Sequence, residues 1–133
     1  MRFLVVDDEP LLRKMLTEYL SFYCSDIDIA ADGREAIEEY TNALLNGKPY
    51  TLICLDVDMP ILDGNTALKR IRKTEQEMGL EDDEKTKILM TTALSEREAV
   101  LEILKNGPDG YLLKPFKKER LTEELKKLGL IRE

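Results

Sequence analysis

The sequence places chemically active side chains directly after short apolar runs that have the length of buried strands. These side chains are Asp7 and Asp8, Asp56, Thr91 and Thr92, and Lys114. Three carboxylates that lie close together repel one another at neutral pH, and a bound cation relieves that repulsion. If the runs belong to one sheet, these residues suit metal-assisted transfer of a phosphoryl group.

The residue types restrict the metal to a hard ion with oxygen ligands. The chain has no histidine, and its two cysteines, Cys24 and Cys54, are not clustered, so they form neither a metal site nor a disulfide framework. Cys54 lies inside an apolar run and is interpreted as a small buried side chain. Mg²⁺ is the first choice, because it needs only one or two protein carboxylates and keeps several waters.

Each candidate residue has a distinct expected role in such a site. Asp7 and Asp8 are neighbours and form the expected metal pair, whereas Asp56 stands alone at its strand end and is the expected nucleophile. Lys114 adds positive charge beside the phosphoryl oxygens, and the hydroxyl of Thr92 can donate a hydrogen bond to them. Taken singly, each residue also has a structural reading, such as a helix cap for Asp8.

The elements that must position these residues alternate along the chain. Apolar runs predict strands at 2–6, 26–31, 51–56, 87–93 and 110–114. Helical spacing predicts helices at 10–22, 32–45, 63–78, 95–107 and 117–128.

Start and stop signals support several of these helices. Asp32 with Glu35, and Ser95 with Glu98, have the spacing of capping boxes, and Gly107 is expected to end the fourth helix.

Five strands that alternate with helices predict an α/β fold with a parallel sheet covered on both faces. Five units cannot close an eight-stranded barrel, so an open doubly wound sheet is the better prediction. In such a sheet ligands bind beyond the carboxyl ends of the strands, where the candidate residues are found. Without repeats or a linker, residues 1–133 are expected to form one domain.

The net charge of −7 and the scattered basic residues argue against binding to nucleic acid or to anionic membranes. No apolar run is long enough to span a membrane, and the N-terminus turns acidic after a short apolar stretch. A cytoplasmic protein is therefore expected. The absence of histidine excludes phosphohistidine carriers and histidine general bases.

The motifs "FLVVDDEP", "LDVDMPILDG", "ILMTTA" and "GYLLKPF" resemble, in order and spacing, the response-regulator receiver domains of two-component signalling. The resemblance covers nearly the whole chain. It implies a flavodoxin-like (βα)5 fold with strand order 2-1-3-4-5. Because only a few residues follow the fifth predicted helix, a stand-alone receiver without an output domain is expected. The resemblance implies a signalling domain that catalyses only its own phosphorylation and slow dephosphorylation.

The resemblance assigns roles to the residues of the site. It implies that Asp56 accepts a phosphoryl group from the phosphohistidine of a sensor histidine kinase or phosphotransfer protein. The implied Mg²⁺ ligands are Asp8, Asp56 and the backbone carbonyl of Asp58, with Asp7 acting mainly through water. Thr92 and Lys114 would contact the phosphoryl oxygens.

The resemblance also implies a switch. Tyr111 matches the aromatic residue that turns inward when Thr92 is drawn to the phosphate, and the surface of helix 4, strand 5 and helix 5 then changes. That surface would bind a downstream protein or a second copy of the chain. Asp58 and Leu94 occupy positions that tune phosphoryl lifetime, although Asp58 can equally be read as a solvated loop acid. The Lys114–Pro115 peptide is expected to be cis.

Two other functions remain open at this point. "DVD" also matches the D-x-D of haloacid-dehalogenase-type phosphatases, in which Asp56 would be the nucleophile and Asp58 the general acid. A flavin carrier on the same fold is a third reading, but "DDEP" would repel phosphate at the loop that should bind it. The kinase, the output partner and the pathway are not indicated by the residues.

Overall fold

The computed structural model describes residues 1–132, in which five strands alternate with five α-helices. The strands are β1 (Phe3–Val6), β2 (Ile27–Ala30), β3 (Leu52–Asp56), β4 (Lys87–Thr92) and β5 (Gly110–Leu113). The helices are α1 (Pro10–Ser21), α2 (Gly33–Leu45), α3 (Gly64–Glu77), α4 (Arg97–Lys105) and α5 (Lys118–Lys127). None of the helices in this range is long and apolar enough to cross a membrane.

The strands form one parallel sheet in the order β2-β1-β3-β4-β5. This is the flavodoxin-like order that the sequence predicted, so the fold prediction is confirmed. The register pairs Val6 with Leu55 and Asp56 with Thr91, which brings the carboxyl ends of the three central strands to the same edge. The residues that follow these strands therefore meet there, although they lie far apart in the chain.

Both faces of the three central strands are buried, which explains the near-continuous apolar runs of β1, β3 and β4. Leu4 and Ile53 point to the face covered by α2, α3 and α4, whereas Val5 and Cys54 point to the face covered by α1 and α5. Cys54 is buried, as predicted, and burial raises the pKa of its thiol to about 12. The core thus fixes the sheet from both sides and holds its edge rigid.

Helix starts follow the local sequence signals in two places. Asp32 caps α2 by accepting a hydrogen bond from the amide of Glu35 at 2.9 Å, which confirms the predicted cap. Asp63 caps α3 in the same way through the amide of Thr66 at 2.8 Å. Both caps satisfy an amide that has no partner within its helix.

The predicted cap of α4 is wrong. The helix begins at Arg97 after Glu96, without a side-chain cap, and Ser95 lies outside it. Glu96 is still extended, with φ −62° and ψ 140°, so Ser95 lies one residue too far from the first free amides of the helix to cap it. The other end is as predicted, because Gly107 follows the helix with a φ of 75°, a left-handed conformation that glycine adopts without strain.

Candidate functional site

Three carboxylates converge at the carboxyl edge of the sheet. Asp7 follows β1, Asp8 begins the turn into α1, and Asp56 is the last residue of β3. One carboxylate oxygen from each lies within 4.8 Å of the others. Asp7 and Asp56 are buried at 0% and 3% exposure, whereas Asp8 is exposed. The cluster is therefore a deep acidic pair with a third carboxylate at its mouth.

Lys114 reaches into this cluster from the loop after β5. Its Nζ lies 3.0 Å from Oδ2 of Asp7 and 3.2 Å from Oδ1 of Asp56. Burial opposes the positive charge of this lysine, but its hydrogen bond to Asp7 and the charges of both aspartates raise its pKa above the usual value. Lys114 therefore stays protonated between two acids.

Burial has the largest effect on the pKa of Asp56, and neighbouring charges have smaller effects. Burial raises the pKa of Asp56 to about 6, and the negative charge of Asp7 adds to that rise. Lys114 and the amide of Asp58 act in the opposite direction by stabilising the carboxylate. A second positive charge beside Asp56 would favour the ionised form that a nucleophile requires.

Backbone packing holds Asp56 in place. The amide of Asp58 donates to Oδ1 of Asp56 at 3.3 Å, and the amide of Gly64 donates to the carbonyl of Val57 at 2.8 Å. A Cβ on Gly64 would overlap the Asp56 carbonyl oxygen, so glycine is needed where α3 begins. The loop after β3 is thus packed tightly under the carboxylate. Asp58 itself is exposed at the rim.

The turn after β1 is held by its own set of hydrogen bonds. Oδ1 of Asp7 accepts from the amide of Glu9 at 2.9 Å, and Nη1 of Arg13 donates to the main-chain carbonyl of Asp7 at 2.8 Å. Glu9 is the residue before α1, and its side chain does not cap the helix. The alternative interpretation of Asp8 as the helix cap is therefore wrong. Arg13 was not predicted from the sequence as a residue of this site. The only signal for it in the sequence is its position six residues after Asp7.

Thr92 and Tyr111 lie on the strands next to the cluster. Thr92 is fully buried at the end of β4, and its hydroxyl accepts from the amide of Leu94. Tyr111 is half-buried on β5 and packs against the core beneath α4, and Leu94 is 37% exposed. The Lys114–Pro115 peptide is cis, as expected. The predicted site residues therefore occupy one edge of the molecule, with Tyr111 along the neighbouring face.

The donors present fit a hard divalent cation. All three ligand candidates supply carboxylate oxygens, which are the atoms that Mg²⁺ prefers. Two of them are buried, so their mutual repulsion is poorly screened and a cation is favoured there. The three side chains come from two strand ends, so the site is formed by the fold and not by a local motif alone.

Comparison with known proteins gives a consistent result. Residues 3–126 match the family model of the response regulator receiver domain. The chemotaxis protein CheY of Thermotoga maritima is 31% identical over 129 residues, which cover 96% of this chain and 97% of that protein. Among solved structures, Vibrio cholerae CheY4 is 31% identical with a TM-score of 0.79, covering 96% of this chain and 97% of that one.

A second solved structure is similar along almost the whole chain. It is the CheX–CheY–BeF3–Mg²⁺ complex from Borrelia burgdorferi, which matches with a TM-score of 0.81 at 26% identity. The match covers 98% of this chain and 90% of that one.

Proposed function

Because this chain belongs to the response regulator receiver domain family, we propose that Asp56 accepts a phosphoryl group from a phosphohistidine on a partner protein. The observation that carries the proposal is the buried Asp7–Asp56 pair with Lys114 between its carboxylates. The family match lends no support to a haloacid-dehalogenase-type phosphatase or a flavin carrier. Transfer would make this protein a signalling domain that is modified once per event.

The transfer exchanges one bond to phosphorus for another. The Oδ atom of Asp56 attacks the phosphorus in line, the bond from phosphorus to the donor imidazole nitrogen breaks, and the imidazole takes a proton from solvent. Asp56 is held for this attack by the amide of Asp58 and by the packing of Gly64. The Asp56 carboxylate is the new covalent partner of the phosphoryl group, as an acyl phosphate.

Charge neutralisation lowers the barrier of this step. Asp8, Asp56 and the Asp58 carbonyl, with Asp7 close by, would hold Mg²⁺, which would supply positive charge at the phosphoryl oxygens. Lys114 already lies beside the acceptor oxygen and adds its ammonium on the other side. The relative from Borrelia burgdorferi, solved with BeF3 and Mg²⁺, supports this assignment.

The signal would leave the site through Thr92. Its hydroxyl, now bonded to the amide of Leu94, turns to the phosphoryl group and draws the loop before α4 with it. Tyr111 is half-buried beside α4 and moves further inward. A phosphoryl group that binds one arrangement better than the other shifts the population towards it.

The output surface is formed by α4, β5 and α5. Leu101 and Leu104 on α4 and Leu113 on β5 are exposed by 53%, 46% and 43%. These three exposed apolar side chains would contribute to the contact with the partner. We propose a downstream protein as the partner, bound more tightly after Asp56 is phosphorylated.

The acceptor is tested by intact mass after incubation with acetyl phosphate, with and without Mg²⁺. The expected result is one Mg²⁺-dependent phosphoryl adduct that is lost in Asp56→Asn and kept in Asp83→Asn, an exposed acid away from the site. An adduct that persists in Asp56→Asn would show another acceptor. Steady turnover of a phosphate monoester would identify a phosphatase instead.

The lifetime of the adduct tests Asp58 and Leu94. Both residues are exposed at the rim, where they can reach water that approaches the acyl phosphate. Asp58→Asn and Leu94→Ala are expected to change the rate of phosphoryl loss without changing the acceptor. An unchanged rate in both variants would leave them as ordinary surface residues.

A further inference from the structure

Arg13 makes a contact that no catalytic step described above uses. It lies in the first turns of α1, half-buried, and its Nη1 donates a hydrogen bond to the main-chain carbonyl of Asp7 at 2.8 Å. We propose that Arg13 is a positioning residue that makes the acidic site selective for Mg²⁺ over larger divalent cations. The inference rests on the proposed function, because it concerns the same metal site.

The backbone of Asp7 is held on both sides. Its amide donates to the carbonyl of Ala30 at 3.2 Å, and its carbonyl accepts from Arg13. Both carboxylate oxygens are also occupied, since Oδ1 accepts from Glu9 and Oδ2 from Lys114. Each polar group of Asp7 therefore has a defined partner, and Arg13 supplies the one for the carbonyl.

The carbonyl matters because it belongs to the peptide plane that joins Asp7 to Asp8. A planar trans peptide fixes the Cα of the next residue once the carbonyl direction is fixed. Arg13 therefore determines how the chain leaves Asp7 and where the Asp8 carboxylate starts from. Asp8 is exposed, so packing against other side chains does not position its carboxylate when this hydrogen bond is lost.

Rigid spacing of the two carboxylates selects between ions. Mg²⁺ requires nearly octahedral ligands at about 2.0–2.1 Å, whereas Ca²⁺ accepts six to eight ligands at about 2.3–2.6 Å in flexible arrangements. A turn held by Arg13 suits the strict octahedral geometry of Mg²⁺, whereas a loosened turn suits only the flexible coordination of Ca²⁺. By charge alone, a guanidinium near the site would weaken the binding of both ions equally.

Lys14 provides a matched control on the same turn of α1. It carries the same charge as Arg13 and is exposed. Within residues 1–132, its side chain makes no hydrogen bond or ion pair. Lys14→Met therefore removes charge near the site without removing a contact, whereas Arg13→Met removes both. Arg13→Lys keeps the charge and one donor.

The test measures the Kd of Mg²⁺ and of Ca²⁺ for the unphosphorylated protein by titration calorimetry, with amide NMR shifts of Asp8 and Asp56 as a second readout. Arg13→Met is expected to weaken Mg²⁺ binding about tenfold, the lower end of the effect of groups that orient metal ligands. Ca²⁺ binding is expected to change about twofold or less, so the Mg²⁺/Ca²⁺ affinity ratio falls. Lys14→Met should keep the ratio, and Arg13→Lys should recover part of it.

An Arg13→Met ratio equal to that of Lys14→Met would overturn the inference, because Arg13 would then act through its charge alone. Thermal unfolding of each variant shows whether it is folded, and if Arg13→Met is not, Arg13→Gln replaces it in the comparison with Lys14→Met. The proposed function is judged separately by the Asp56 adduct. An intact adduct with an unchanged ratio rejects only the role of Arg13.

Discussion

The ammonium nitrogen of Lys114 lies 3.0 Å from Oδ2 of Asp7, although 107 residues separate the two in the chain. The same nitrogen is 3.2 Å from Oδ1 of Asp56. Lys114 thus neutralises part of the charge to which a divalent cation would bind. In the proposed reaction it would both assist phosphoryl transfer and compete with the metal for the same oxygens.

Replacing Lys114 is therefore expected to move binding and transfer in opposite directions. Lys114→Met should tighten Mg²⁺ binding by at least about fivefold, since two unit charges about 4 Å apart interact by roughly 1 kcal/mol even in water and Mg²⁺ carries two charges. Labelling of Asp56 by acetyl phosphate should slow at saturating Mg²⁺. Calorimetry and intact mass measure the two effects, with the exposed Lys117→Met as control. Weaker Mg²⁺ binding in Lys114→Met would show that the lysine does not compete.

The raised pKa of Asp56 predicts a pH-dependent effect on stability. The native pKa is about 6 against an ordinary 3.8, so between these values the folded state holds a proton that the unfolded state releases. The contribution of Asp56 to stability therefore falls as pH rises from about 4 to about 6.

Asp56→Asn replaces the carboxyl group with a neutral group of the same shape. At pH 7.5 with EDTA, the variant is expected to be more stable than wild type by about 1–3 kcal/mol, and the difference should vanish below about pH 4. Urea unfolding at a series of pH values measures it, with Asp83→Asn as an exposed control. A difference that does not vary with pH would contradict the assignment of the raised pKa to Asp56.

An ion pair of the buried Glu75, away from the acidic cluster, predicts a large stability effect. Arg72 on α3 lies 2.7 Å from Oε1 of Glu75, which is 1% exposed, and 2.6 Å from Oδ2 of Asp109. Arg72→Met leaves the buried carboxylate unpaired and should cost about 3 kcal/mol or more. The exposed Arg34–Glu38 pair gives the control, since Arg34→Met should cost about 1 kcal/mol or less.

A second substitution separates the unpaired charge from lost packing. Glu75→Gln keeps an acceptor for the amide of Thr86, now bonded to Oε2 at 2.9 Å, but removes the charge. The Arg72→Met/Glu75→Gln double variant should therefore regain part of the stability that Arg72→Met loses, as measured by urea unfolding. If the double variant is less stable than Arg72→Met, the buried charge is not the cause of the loss.

The left-handed backbone conformation at Ile61 predicts that a substitution there will stabilise the protein. It lies in the loop after β3 with a φ of 68°, and its side chain is 74% exposed. A β-branched residue is strained in this left-handed region, whereas asparagine tolerates it. Ile61→Asn should raise the free energy of unfolding by about 0.5–1 kcal/mol. Ile29→Asn, in the extended strand β2 at 53% exposure, should bring no gain. An equal gain in both variants would show that replacing an exposed apolar side chain, and not the relief of backbone strain, is the cause.

Much of the fold could be read from local patterns. Strand and helix periodicity depend on neighbours within a few residues, so the five strand-helix pairs and the caps at Asp32 and Asp63 are encoded in short segments. The strand ends identified Asp7, Asp56, Thr92 and Lys114 as site residues, because parallel strands present their carboxyl ends together. The cap predicted at Ser95 is wrong, because the backbone is still extended at Glu96 and the helix begins one residue later than the pattern indicated.

The sequence by itself determined which residue types stand at each strand end, and therefore the class of chemistry. Only the tertiary structure decided that Lys114 lies between Asp7 and Asp56, and that Arg13 holds the Asp7 carbonyl. It also decided that burial raises the pKa of Asp56 to about 6. Burial and contacts between distant residues depend on how the sheet and its covering helices pack, and no local pattern in the chain carries that information.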